Sequence, residues 1–117
     1  MITVKTPEQI KLMKVAGSIV AETLELIEAH AKPGISTKAL DKIAHDYIIS
    51  RGAKPSFLHY QGFPATICAS VDDVVVHGFP SDKLLEDGQI LSIDCGAIYK
   101  GWHGDAARTI AIGKISP

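Results

Sequence analysis

Apolar residues recur at spacings of three and four near the start of the chain: Ile10, Met13, Ala16, Val20, Leu24 and Ile27 make one stripe. That period predicts an amphipathic helix. Its start is written in Thr6-Pro7-Glu8-Gln9, an N-cap Thr, a Pro at the first helical position and a Gln at the capping-box position. Lys32-Pro33-Gly34 breaks the stripe. Ser36 then caps a second helix whose buried face is Leu40, Ile43, Ala44, Tyr47 and Ile48, with Gly52 as its stop.

Beyond Gly52 the period changes. Ala65–Ser70 and Val74–Val76 are short β-branched runs, and Gln89–Tyr99 and Asp105–Gly113 are longer ones separated by a turn containing Lys-Gly. Helix, helix and then hairpin strands predict an α+β layer, an antiparallel sheet with two helices over one face. The chain ends just after its last strand, so that strand's outer edge is expected to need a cover. A second copy, another polypeptide or a C-terminal half would supply it.

Composition narrows the function without naming it. At 117 residues, 46% hydrophobic and 21% charged, with a formal charge of −1, the chain suits one ordinary domain. It lacks the basic excess that nucleic acid or an anionic membrane asks for. No signal-peptide pattern opens it, and no apolar run approaches the roughly 20 residues of a membrane span. Cys68 and Cys95 lack C-x-x-C spacing and read as buried thiols or pocket walls in a reducing compartment, which points to the cytoplasm.

The chemistry concentrates in Ile93–Thr109, where Asp94 and Asp105 interrupt apolar strands. A Tyr99-Lys100 loop would set Asp94 across from Asp105. A Lys100-Gly101 loop would set Asp105 across from Gly96 and leave Asp94 diagonal to it. Either even loop puts both carboxylates on one sheet face, about 5 to 8 Å apart, unless a bulge breaks the parity. Two such carboxylates suit a divalent ion, and one can bridge a pair of ions. The plainer reading makes them water-exposed turn or edge residues. His77 closes Val74-Val75-Val76 before Gly78 and suits a ligand, proton donor or oxyanion stabiliser as well as an ordinary strand-end residue. His103 shares the face of Asp105 if the strand stays regular through Gly104. His30, His45 and His59 read as surface or structural.

The segment IDCGAIYKGWHGDAART at 93–109, with VVVHGFP at 74–80 and KPGIST at 32–37, resembles type I methionine aminopeptidases over essentially the whole chain. The resemblance implies one half of a pita-bread metallopeptidase fold, within an enzyme that removes the N-terminal methionine from nascent proteins. It implies two divalent ions (Co, Mn, Fe or Zn), with Asp94 as a bidentate ligand of one and Asp105 bridging both. His77 would touch the scissile amide and stabilise the transition state without ligating metal, and His103 drops out as a ligand. Phe57, Tyr60, Phe63 and Cys68 map onto part of the methionine pocket, or else are core. Aromatic walls and a thiol suit a thioether side chain. Asp72-Asp73 stands where the family commonly has an Asn.

The family's other ligands, one His and two Glu, belong to a C-terminal half, so residues 1–117 are expected to be an N-terminal part with little activity and weak metal binding alone. Its partners would be peptides with N-terminal Met, and not nucleic acid or membrane; self-association is the further expectation from the uncovered strand. Two alternatives stand beside this: an X-Pro peptidase relative and a non-catalytic pita-bread binding module.

Overall fold

Regular structure in the computed structural model begins at the capping box, where Thr6 Oγ1 accepts from Gln9 N at 3.1 Å and Gln9 Oε1 accepts from Thr6 N at 2.9 Å. The structure describes residues 6–56, 65–72 and 80–113. The expected run Val74–Val76, His77, and the pocket candidates Phe57, Tyr60 and Phe63 lie outside them.

Helix α1 runs Pro7–His30 and buries Ala16, Ile19, Val20, Thr23, Leu24 and Ile27. Two points of the predicted stripe change. Ile10 is 42% exposed, because the first turns of this long helix overhang the layer beneath it. Ile19 and Thr23 join the buried face, and the Thr23 hydroxyl is satisfied by donating to Ile19 O at 2.6 Å.

Helix α2 runs Thr37–Ser50, with the Ser36 hydroxyl accepting from Ala39 N. It buries Leu40, Ala44 and Ile48, while Ile43 and Tyr47 stay half-buried. It ends as Gly52 predicts. Gly52 turns left-handed at φ +78°, its N–H reaches Ile49 O, and the Ala53 N–H reaches Ile48 O, the paired bonds of a Schellman stop.

Four strands form one antiparallel sheet: β1 (Lys54–Pro55), β2 (Ile67–Val71), β3 (Ile90–Tyr99) and β4 (Trp102–Ala111). β4 pairs with β3 along its whole length. β1 and β2 pair with successive stretches of β3, and so share its other edge. β1 was not expected from the sequence, since a two-residue strand containing Pro has no pattern of its own. β4 begins three residues earlier than expected, because pairing continues to Trp102, right up to the turn.

Alternation along β3 divides the sheet into two faces. Leu91, Ile93, Cys95 and Ala97 are buried, together with Ile67, Ala69 and Ile110 from the neighbouring strands, in one cluster with the apolar sides of α1 and α2. Each Ile or Leu so buried contributes about 1.5–3 kcal/mol. Ser92 and Asp94, at the intervening positions, are exposed on the opposite face. The fold is therefore the predicted α+β layer: helices on one side of an antiparallel sheet, and an open side opposite.

Two residues fix where the open face begins and ends. Asp72 closes β2 at φ +52°, its N–H donating to Ile90 O and its Oδ1 accepting from Ile90 N at 2.8 Å. At the other end, Lys100 and Gly101 take φ +48° and +87°, both positive as a type I′ hairpin turn requires.

Candidate metal-binding face

The two-residue loop is Lys100-Gly101, so Tyr99 pairs with Trp102, Gly96 with Asp105 and Asp94 with Ala107. Of the two registers the sequence allows, this is the diagonal one. No bulge interrupts β3 or β4 between these pairs, so parity holds and Asp94 and Asp105 share the open face. Diagonal neighbours of this kind stand about 7–8 Å apart at the backbone. Both side chains are exposed. Neither carboxylate therefore carries the desolvation and mutual repulsion of a buried pair.

Register also sorts the other candidates. Cys68 pairs with Asp94 and is half-buried on the same face. Its row reads Cys68–Asp94–Ala107. His103 pairs with Ile98 and is exposed, again on the carboxylate face, because the strand stays regular through Gly104. Cys95 points the other way. It is wholly buried against the helices, and burial pushes its thiol up to about 12.

His45 and His30 are structural, as expected. His45 Nδ1 lies 3.1 Å from Thr66 Oγ1, and His30 Nδ1 lies 2.9 Å from Leu26 O.

Sequence reasoning missed three residues that shape this face. Gly104 lies against α1 on the opposite side from Asp105. A Cβ on Gly104 would stand 2.8 Å from the carbonyl carbon of Ala16 and 2.9 Å from Gly17 N, so only glycine lets the strand seat on the helix there. Asp41, on α2, accepts from both Thr66 N (2.8 Å) and Ile67 N (2.9 Å) and so pins the start of β2 one residue before Cys68. Ser56 follows β1; its N–H donates to Gly96 O at 3.0 Å. Of these, the Gly104 requirement had a local signal, the small residue inside a strand pattern. The other two depend on distant pairing.

The Ser56 hydroxyl is the unusual atom here. It is shielded from solvent and has no hydrogen-bond partner among the described residues. An orphaned hydroxyl of this kind costs about 1–3 kcal/mol. It sits over Gly96, where a Cβ would be 3.0 Å from Ser56 Cβ and 3.1 Å from its Oγ.

The donor set fits a hard divalent ion in kind: two carboxylates on one face with a hydroxyl beside them. In number it is partial. No group of three or more His, Cys, Asp or Glu able to hold an ion occurs among the described residues.

This sheet, helix layer and carboxylate hairpin match a known class. A family model, Metallopeptidase family M24, matches residues 11–117. The chain belongs to that family. It is 52% identical over 117 residues to a methionine aminopeptidase of Clostridium acetobutylicum, covering 99% of this chain and 47% of that protein. It is likewise 52% identical over 116 residues to methionine aminopeptidase 1 of Bacillus subtilis, again covering 47% of the relative. The crystal structure of the Rickettsia prowazekii methionine aminopeptidase superposes with a TM-score of 0.93 at 41% identity, over 99% of this chain and 47% of that one. A Xaa-Pro dipeptidase from Bacillus anthracis superposes less closely, with a TM-score of 0.79 at 30% identity, over 97% of this chain and 30% of that one. The chain spans about half the length of the curated relatives it matches. Its architecture is that of one half of the pita-bread fold.

Proposed function

We propose that the protein carrying this chain is a methionine aminopeptidase that uses two divalent ions, with Asp94 and Asp105 among their ligands. The observation that supports this most is the hairpin register, which sets two exposed carboxylates diagonal to each other on one open face. Closer similarity to methionine aminopeptidases than to the Xaa-Pro dipeptidase supports methionine as the residue removed.

Divalent ions, when bound, supply Lewis acidity and a nucleophilic water at neutral pH. The residues of this chain do the rest of their share by position. Asp94 holds one ion and Asp105 bridges both, each presenting oxygens toward the open side of the sheet. His77, outside the described residues, stabilises negative charge developing on the scissile carbonyl oxygen. Cys68, in register with Asp94, lies where a methionine side chain next to the reacting carbonyl would rest. Phe57, Tyr60 and Phe63, also outside the described residues, complete that wall. The remaining ligands, a His and two Glu, come from a C-terminal half, and residues 1–117 alone are weakly active.

Among the described residues no helix is long and apolar enough to cross a membrane. With both cysteines as thiols, this supports action in the cytoplasm on the N-terminal methionine of nascent chains.

The test is hydrolysis of Met-Ala-Ser against an X-Pro peptide by the full-length protein with Mn²⁺ or Co²⁺. Release of Met, abolished by Asp105→Ala, is the expected result. Preference for the X-Pro peptide would replace the proposal with the prolidase reading. No turnover of either, with no metal bound, would favour a non-catalytic module.

A further inference from the structure

The orphaned hydroxyl of Ser56 lies in a row that the site description has left unused. β1 continues the register Lys54–Ile98 and Pro55–Ala97, and the bond from Ser56 N to Gly96 O extends it to the next pair. Gly96 in turn pairs with Asp105. One row across the sheet is therefore Ser56–Gly96–Asp105, and the neighbouring row is Cys68–Asp94–Ala107. The Cβ that Gly96 lacks would point at Ser56 Cβ and Oγ, so the Ser56 side chain stands on the same face as the two carboxylates.

Glycine in the middle of the row has a consequence. The hydroxyl and the Asp105 carboxylate lie two strand spacings apart, roughly 9.5 Å between backbones, with no side chain between them. A longer residue at position 96 would fill that gap. As it is, an Asp105 side chain leaning inward over Gly96 approaches a donor that has nothing else to bond among the described residues. A hydroxyl donates and an ionised carboxylate accepts, and an oxygen bound to a metal keeps a lone pair for such a donor.

We propose that Ser56 is a positioning residue of the metal-binding face, its hydroxyl donating to the Asp105 carboxylate when that carboxylate holds a divalent ion. This rests on the reading of Asp94 and Asp105 as ligands. It explains why a buried hydroxyl is left unpaired in the ion-free chain: its partner arrives with the ion. The same reasoning fixes a sign. Without metal, removing the hydroxyl removes an unsatisfied group and leaves stability unchanged or raised. With metal, removing it costs a hydrogen bond.

The experiment uses the full-length protein, wild type and the variants Ser56→Ala and Ser56→Thr, titrated with Co²⁺ by calorimetry and by visible absorption. Thermal melts are recorded in EDTA and in saturating Co²⁺. Ser56→Ala should weaken Co²⁺ binding by roughly tenfold. It should melt at or above wild type in EDTA and show a smaller Co²⁺-induced rise. Ser56→Thr, which keeps the hydroxyl, should restore the affinity. Equal Co²⁺ affinity in wild type and Ser56→Ala overturns the role of Ser56 and leaves the carboxylate pair standing. An equal loss of melting temperature with and without Co²⁺ overturns it too, since that is a packing defect. No Co²⁺ binding by the wild type overturns the carboxylate-pair reading and the role of Ser56 together.

Discussion

Gly104 meets the backbone of Ala16 so closely that the strand and helix α1 touch there without a side chain between them. The contact lies directly behind Asp105, on the helix side of β4, and so sets how far that strand stands from α1. A methyl at position 104 would come within 2.8 Å of Ala16. Backbone cannot move aside as a flexible side chain can.

Gly104→Ala should therefore destabilise the full-length protein by about 1–3 kcal/mol, the usual range for forcing a methylene into a filled contact. It should also weaken Co²⁺ binding, because Asp105 is the next residue. Urea denaturation read by circular dichroism checks the first effect. A stability equal to wild type would mean that α1 can slide away from the sheet.

Asp41 carries a longer-range contact of the same importance. Its one carboxylate oxygen accepts from Thr66 N and Ile67 N, and both of those residues are almost wholly buried. Asp41→Ala leaves two buried donors unsatisfied, at about 1–3 kcal/mol each. Asp41→Asn keeps an acceptor oxygen and should recover much of the loss. Hydrogen exchange would localise the effect: the Thr66 and Ile67 amides should lose protection first in Asp41→Ala.

Cys95 gives a pH dependence with a definite sign. Its ordinary pKa of 9.0 is pushed up to about 12, first by burial and then by the nearby charge of Asp41. Below pH 9 the thiol is neutral folded and unfolded, and contributes no slope. Between about 9 and 12 the unfolded chain loses the proton while the folded chain keeps it, so stability falls as pH rises, by up to about 1.4 kcal/mol per pH unit. Denaturation at pH 8 and pH 10.5 should show this loss in wild type and a smaller one in Cys95→Ala. Alkylation should modify Cys68, half-buried on the open face, well before Cys95.

The parts of this fold that local chemistry dictates were legible in the sequence. Thr6 and Gln9 cap α1 within four residues of each other, and Gly52 ends α2 by adopting a conformation other residues avoid. Parity alone put Asp94 and Asp105 on one face. The choice between the two hairpin registers was also within reach. A type I′ turn needs two positive φ angles, which Lys100-Gly101 meets with a glycine and Tyr99-Lys100 would meet with none.

Other features come from partners distant in the chain. Ile10 has the right spacing for the stripe but extends past the layer that α1 covers, so it remains exposed. Lys54–Pro55 becomes a strand because β3 offers it an edge. Asp41 and Ser56 look like ordinary helix and loop residues until the sheet brings Thr66 and Gly96 to them.

The central claim is that Asp94 and Asp105 act together as ligands of divalent ions. Its most direct test is calorimetric titration of the metal-free full-length protein with Co²⁺, for wild type, Asp94→Asn and Asp105→Asn. Asn removes the charge and nearly preserves shape, so folding should be retained. The account predicts that Asp105→Asn, having lost the carboxylate that bridges both ions, weakens binding at both sites, and that Asp94→Asn chiefly weakens one. Wild-type affinity in both variants would contradict it.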